Sequence, residues 1–308
     1  MNEEGKAIRT LKIKAHTGMN RVKWDLHYES PRLIALRTVS ADNPHIWQEP
    51  RFRDADSRPI THWGIRPAEV GPLAAPGKYS VRLTVAGQAF TEPFTVLPDP
   101  RVPTSEGDIA SSVKTQLRIR DDITRVSDTV NQIEWLRKQL EVIETMLRPP
   151  KKKERERPPF AEPDDFEEPE PAPAQDEAQT KLKAELLKTV EEMDKKLQGI
   201  EFKLVSPAEV NSDDKYYVEA YKVYLNLIWL NAEVGTGGGD VAGGADFAPT
   251  DTELELLQSL ESQLAGTIAD YKKLVEDDLP AFNRTLSENN VAAIVATSAA
   301  APLTEDGQ

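Results

Sequence analysis

Ile119-Arg120-Asp121-Asp122-Ile123-Thr124-Arg125-Val126-Ser127-Asp128-Thr129-Val130-Asn131-Gln132-Ile133-Glu134-Trp135-Leu136 decides how this chain is read. Its apolar residues stand at Ile119, Ile123, Val126, Val130, Ile133 and Leu136, and the series continues at Leu140, Ile143 and Leu147. Spacings of three and four place them on one stripe of an α-helix, with a near-heptad seam of the coiled-coil kind. Thr104 or Ser105 stands where a cap belongs, and Glu106 and Asp108 suit the positive end of the helix. Pro149-Pro150 stops it.

Downstream, residues 151–174 are mostly Lys, Arg, Glu, Asp and Pro, with only Phe160, Phe166 and three alanines among them apolar. They cannot build a core, and the reading expects a disordered insert. A second amphipathic helix follows, with Leu182, Leu186, Val190, Met193, Leu197, Ile200 and Leu204 on one face, and Ser206-Pro207 ends it. A third, from about Asp213, carries Val218, Tyr221, Leu225 and Ile228, and yields to the glycine run from Gly235 to Gly239. Pro249-Thr250 caps a fourth, with Leu254, Leu257, Leu264, Ile268, Tyr271 and Val275. Pro280 is expected to kink it before Phe282 and Leu286. Four stripes of similar length predict an antiparallel four-helix bundle over residues 104–290, with a flexible tail at 291–308.

Upstream the period changes. Tyr79, Val81, Leu83 and Val85 alternate with Ser80, Arg82 and Thr84, the mark of a half-buried strand. Ala86-Gly87-Gln88 makes the turn, and Phe90, Phe94 and Val96 return, with Pro93 at an edge or bulge. Val22, Trp24 and Leu26 alternate likewise, and residues 7–14 are a further strand candidate. Trp24, Tyr79, Leu83 and Phe94 are the expected core of this region. Residues 30–71, rich in Pro, Arg and Asp, read as a long excursion. About four strands are visible, against the roughly seven of an immunoglobulin-like sandwich. The fold class is therefore α+β and multidomain. An incomplete immunoglobulin-like β-sandwich over residues 1–101, expected to be truncated at its N-terminus, precedes the helical bundle.

The net charge of −14 argues against nucleic acid and anionic membrane surfaces as partners. Cysteine is absent, which excludes disulfides, thiolate metal sites and cysteine nucleophiles. The start, Met1-Asn2-Glu3-Glu4-Gly5, has neither the basic nor the apolar part of a signal peptide. No apolar run approaches the ~20 residues that span a bilayer, so no membrane insertion is expected.

The search for chemistry returns little. His16, His27, His45 and His62 lie in the β-region without paired spacing, and the helices hold no histidine, which removes a di-iron reading. The glycine run lacks the Lys-Ser/Thr ending of a phosphate loop. Carboxylates at Asp25, Asp54, Asp56 and Glu69 are not gathered by any pattern that glycoside hydrolysis would need. Tyr216, Tyr217, Tyr221, Tyr224 and Trp229 cluster on the third helix, where core packing is the commoner use of aromatics. Asn283-Arg284-Thr285 matches a glycosylation sequon. No catalytic, cofactor-binding or metal-binding residue is assigned.

Two signatures do carry a resemblance. Gly18, Asn20, Val22, Trp24, Asp25, Leu26 and Tyr28 match a G-x-N-x-hydrophobic-x-W-D-L-R-Y strand, with His27 in place of its Arg. Gly71, Pro72, Pro76, Gly77, Tyr79, Val81, Arg82, Leu83, Thr84, Val85 and Gly87 match a G-P-x-x-x-P-G-x-Y-x-V-R-L-T-V-x-G hairpin. Pro93, Phe94, Val96, Asp99, Pro100 and Arg101 match its P-F-x-V-x-x-D-P-R exit. In these residues, and in Asp278-Leu279-Pro280-Ala281-Phe282-Asn283, the chain resembles the C-terminal region of large bacterial exported β-propeller proteins. Those proteins carry BNR or sortilin-like repeats and are often labelled glycosyl hydrolases or sialidase-like. The hairpin alone is also similar to the immunoglobulin-like module of flagellar hook-capping proteins. The resemblance implies an upstream propeller, a periplasmic or extracellular parent protein, and a non-catalytic accessory role for this region through protein or glycan contacts. A glycoside hydrolase with its catalytic propeller upstream and a helical oligomerisation module are the rival readings.

Overall fold

The computed structural model describes residues 1–45, 49, 56–60, 71–148, 177–211, 219–235 and 247–297. It is a mixture of helix and strand in which helix dominates. Helix α1 (Glu106–Leu147) starts as the sequence predicts: the Ser105 hydroxyl accepts the Asp108 N–H at 3.1 Å, and Glu106 and Asp108 lie in the first turn. Its expected stripe is buried from Ile119 to Ile143 and half-buried at Leu147.

Helices α2 (Glu177–Leu204), α3 (Pro207–Asn211), α4 (Val223–Val234) and α5 (Asp251–Lys273) follow. Arg137 and Arg148 of α1 reach Glu201 and Glu191 of α2 respectively, so the two helices run antiparallel. Lys203 and Lys196 of α2 reach Asp270 and Asp278 in the same reversed order. The helices are not of similar length: α1 has 42 residues and α4 only 12. Nine of those twelve are buried, so α4 is apolar on nearly every side and serves as an interior helix. The part of the third predicted helix at residues 212–218 lies outside the described residues, as does the insert at 151–174.

Thr250 begins α5 with a full capping box: its hydroxyl accepts the Glu253 N–H, and the Glu253 carboxylate accepts the Thr250 N–H at 2.7 Å. Pro280 produces no simple kink. The ladder widens into a π turn at Leu274–Asp278, with the Leu279 N–H donating to Leu274 O, before α6 (Leu279–Glu288) continues. A π turn redistributes the carbonyls ahead of a proline that has no N–H and whose ring crowds the previous turn.

Residues 291–297 do not fray where the structure describes them. The Asn283 side chain donates to Ile294 O and accepts its N–H, both at 2.9 Å, and Gln139 makes the same double bond to Val295. Ile294 is buried in the cluster formed by the C-terminal half of α1, α2, the π turn and α6. Asn283→Ala should free the segment at a cost of about 1–2 kcal/mol, read as a loss of hydrogen-exchange protection at the amides of Ile294 and Val295. Because both ends of the Asn283 amide are used, the sequon should stay unmodified.

The excursion at 30–71 is the largest departure from the sequence reading. A short antiparallel pair, β1 (Ala35–Leu36) with β2 (Arg58–Pro59), lies against α1. Ile34, Leu36 and Ile60 enter the same core as Ile119, Ile123 and α4. Polar side chains of α1 serve the backbone of this strap in order. Asn131 bonds Ala35 N and Leu33 O, Glu134 accepts the N–H groups of Arg37 and Thr38, and Glu141 accepts that of Val39 at 2.8 Å. The predicted boundary at residue 101 therefore does not separate the cores: residues of the strap belong with the helices.

The second sheet is the predicted hairpin, β3 (Gly77–Val85) paired with β4 (Gln88–Val96). Its two-residue turn has Ala86 at φ 48° and Gly87 at φ 81°, the left-handed pair that matches the twist of a hairpin. The other expected strands, 7–14 and 22–26, are not strands; among the described residues neither has a neighbour to complete a ladder. Among the described residues no seven-stranded sandwich is present. The Trp24-Asp25-Leu26-His27 corner turns through Leu26 at φ 65°, a conformation that is costly for leucine. It is held by Trp24 Nε1 on His27 O (2.9 Å) and by Ala74 N on Leu26 O (2.7 Å). Gly71 lies so close to this segment that a Cβ would sit 2.2 Å from Tyr28 O, which accounts for glycine there.

Candidate interaction surface

The hairpin is anchored at one end and bare at the other. On the face formed by odd residues of β3, Tyr79 and Phe94 stack at 5.9 Å and Trp24 meets both edge-on, at 6.1 and 5.9 Å. Such aromatic pairs add to their burial. Three of the four residues predicted for the β-core are thus together. Leu83 is not among them: it is 48 % exposed, with Val81 at 56 %, Val85 at 54 % and the cross-strand Phe90 at 54 %. These four continue the anchored face toward the turn. The opposite face carries Ser80, Arg82 and Thr84, while on this one Glu92 and Gln88 stand across from Val81 and Val85, so the hairpin has a polar side and a mainly apolar side that no described residue covers.

Its edge is open too. Ser80 points its N–H and C=O away from β4, and both bond Met1, at 3.0 and 2.7 Å. Arg82 and Thr84 repeat that orientation with no partner strand among the described residues. An open edge of this kind is a template for another chain.

A third feature adjoins them. Residues 7–14 and 21–26 run in opposite directions, joined at one end by the turn in which Asn20 bonds His16 and Gly18. Near the other end Glu29 N–H donates to Ile8 O at 2.8 Å. Between them is a cleft of about 670 Å³ lined by residues 10–13, 21–23 and Glu29. A smaller hollow of about 180 Å³ separates the hairpin exit from the start of α1.

The predicted chemical candidates are dispersed. Asp25 accepts the His27 N–H at 3.1 Å. Although burial opposes its charge, that bond and the nearby His27 and Arg9 hold its carboxyl below the usual range, the wrong direction for a general acid. Asp56 faces Arg37 at 3.7 Å. His16 and His45 are exposed, while Asp54, His62 and Glu69 lie outside the described residues. No three acidic or histidine side chains among the described residues are placed to hold a metal. Tyr224 is fully buried, whereas Tyr221 stacks on Trp229 at 6.4 Å; Tyr216 and Tyr217 are outside the described residues.

One constellation escaped the sequence reading. Arg137 bonds Glu201 at 2.6 Å, Asp194 at 2.8 Å and Glu134 at 3.1 Å, and Arg58 donates to Thr38 O at 3.2 Å beside them. Glu134 and Glu201 expose no surface, so no substrate reaches them, and the cluster ties the strap, α1 and α2 together. Burial raises the Glu201 carboxyl well above its ordinary range even though Arg137 pulls it down. Arg137 is held charged: burial works against it, but Glu201, Glu134 and Asp194 outweigh that. The signal was present in the spacing, since Glu134, Arg137 and Glu201 each stand four residues after a core position, at Val130, Ile133 and Leu197.

Glu209 is a second buried acid. Its carboxylate accepts the Ser206 N–H at 2.8 Å and caps α3, while burial pushes its pKa up to about 7. A carboxyl raised in the folded state binds its proton more readily there than in the unfolded chain. The stability it lends is complete below its ordinary value of 4.5 and fades as the pH climbs through about 7. The whole effect is about 3 kcal/mol, and Glu209→Gln should abolish that part of the decline between pH 5 and 8 in urea titrations.

No helix among the described residues is long and apolar enough to cross a membrane. Comparison with family models, with curated proteins and with solved structures finds no match to this chain.

Proposed function

We propose that this chain is a non-catalytic interaction module whose β-region packs on a β-propeller encoded upstream in the same exported protein, with the helical part as a bundle-like support. The observation that carries this reading is the hairpin, whose apolar side is anchored at Tyr79 and Phe94 but left bare at Val81, Leu83, Val85 and Phe90. Half of an immunoglobulin-like sandwich has that appearance, and a β-rich neighbour supplies the missing half. The exposed apolar residues of the helices favour a helical oligomerisation module less. Trp135, Val142 and Met146 lie on α1, Leu182 on α2 and Leu254 and Leu256 on α5, spread over three helices, whereas the hairpin's four share one face of one sheet. Protein contact is favoured over glycan contact because Trp24, Tyr79 and Phe94 are turned onto one another and the exposed ring of Phe90 shares its face with the aliphatic Val81, Leu83 and Val85.

The test is to express the chain joined to the sequence encoded ahead of it. The amides of Arg82 and Thr84 should gain hydrogen-exchange protection, and Leu83→Asp with Phe90→Asp should abolish the gain. Unchanged exchange at those amides in the joined protein would overturn the reading.

A further inference from the structure

The cleft between residues 10–13 and 21–23 is more than a gap. Among the described residues, the main chains of Leu11, Lys12, Ile13, Arg21, Val22 and Lys23 make no hydrogen bond. Two stretches that approach one another, are joined by a turn, and yet leave their N–H and C=O groups unmet have the arrangement of a sheet lacking a strand. Ladder spacing is about 4.8 Å, so one strand between two others needs them about 10 Å apart. At about 3.3 Å per residue, residues 11–13 offer a template for roughly three residues of a partner, since the Thr10 N–H is already given to Glu29. The cleft is open to solvent, and its apolar residues Leu11, Ile13 and Val22 are each more than two-fifths exposed.

Charge identifies the occupant. In a chain of net charge −14, residues 10–24 carry Lys12, Lys14, Arg21 and Lys23 and no carboxylate, and Glu29, which also lines the cleft, is engaged by Arg9 and the Thr10 N–H. This is a local reversal of the field of the whole molecule, and it attracts an anionic partner. Anionic lipid would satisfy the charge and the apolar residues but not the main chain. An acidic polypeptide in extended form satisfies all three.

We propose that this cleft takes up a short acidic segment of another polypeptide as an added β-strand. The main chain of that segment bonds residues 11–13 and 21–23, one set of its alternating side chains lies on Leu11, Ile13 and Val22, and its carboxylates face the lysines and arginine. The inference rests on the reading of the β-region as an interaction module, and it names one mode and one chemistry for that interaction.

The experiment titrates the full chain against the fluorescein-labelled peptide acetyl-Glu-Val-Glu-Val-Thr-Val-Glu-amide, followed by fluorescence anisotropy. Three controls are the same peptide with lysine for glutamate, a version with proline at the middle valine, and vesicles of phosphatidylserine and phosphatidylcholine. The acidic peptide should bind, and the lysine and proline peptides should bind at least tenfold more weakly. Lys12→Glu together with Lys23→Glu should weaken the acidic peptide at least tenfold and improve the lysine peptide, with unchanged far-UV circular dichroism. The exchange of the amides at 11–13 and 22 should slow on binding. No binding of the acidic peptide, equal binding of the proline peptide, or vesicle binding in preference to the peptide would overturn the proposal. Leu83→Asp with Phe90→Asp should leave peptide binding unchanged. Loss of the peptide effect with hairpin protection retained in the joined protein would then sink the strand-addition proposal alone. The reverse result would sink the propeller contact alone.

Discussion

Arg137→Met will destabilise the chain by about 3–5 kcal/mol near pH 8 and by distinctly less near pH 5. The wild-type guanidinium sits among Glu134, Glu201 and Asp194, with Glu134 and Glu201 wholly buried. Methionine fills a similar volume, so the loss is not a cavity. It comes from carboxylates left in low dielectric without their countercharge. Glu134 keeps the main-chain N–H donors of Arg37 and Thr38, but Glu201 loses its principal partner. Its carboxyl, already raised by burial, rises further once the pull of Arg137 is gone. A folded-state value above the unfolded one means that the acid is tolerated while protonated and becomes a burden as the pH passes upward. The destabilisation should therefore grow from the ordinary carboxylate range toward pH 8. Urea denaturation followed by far-UV circular dichroism at both pH values checks it. Equal losses at the two pH values would mean that Arg137 acts by packing alone. Adding Glu201→Met should recover part of the loss, because a buried pair removed together costs less than one member removed alone.

The same residues show where sequence reading succeeds and stops. The stripe from Ile119 to Ile143 was legible because a 3.6-residue period leaves its mark on any helix that buries one side. The hairpin was legible from alternation and from Ala86-Gly87, whose positive φ angles suit a two-residue turn. The strap was not, because it is held less by apolar pattern than by Asn131, Glu134 and Glu141 reaching out from α1 to its main chain. On sequence alone these residues read as a solvated helix face. Residues 7–14 and 22–26 have strand-like composition, but a strand is completed by its neighbour, and composition does not say whether the neighbour is there. The candidate surface was legible in the same partial way: alternation marked Val81, Leu83 and Val85 as one face and could not tell that no described residue covers it.

Trp24→Ala should cost about 3–5 kcal/mol, and the loss should fall on the hairpin before the helices. Trp24 meets both Tyr79 and Phe94 edge-on, and its indole N–H is spent on His27 O. The Tyr79 hydroxyl is likewise spent on Ala75 O at 2.7 Å. Nothing further along β3 and β4 shares the load, since Val81, Leu83, Val85 and Phe90 are about half exposed. A two-stranded sheet is marginal without a packed face, so removal of the indole should release the hairpin as a unit. Near-UV circular dichroism should lose the part of its aromatic signal that comes from the Trp24, Tyr79 and Phe94 trio, and the amides of β3 and β4 should exchange at rates close to those of an open chain. The helical transition should move little, because the helical core draws its buried residues from Ile34, Leu36, Ile60 and the helices rather than from the hairpin. Leu83→Ala is the matching control. As a core residue it would cost about 2–5 kcal/mol; half exposed at the bare end of the face, it should change stability by no more than about 0.5 kcal/mol. If Trp24→Ala left hairpin protection at its wild-type level, the aromatic trio would not be the anchor. The indole would then be accessible as a platform for a ligand, and glycan contact would regain its place beside protein contact.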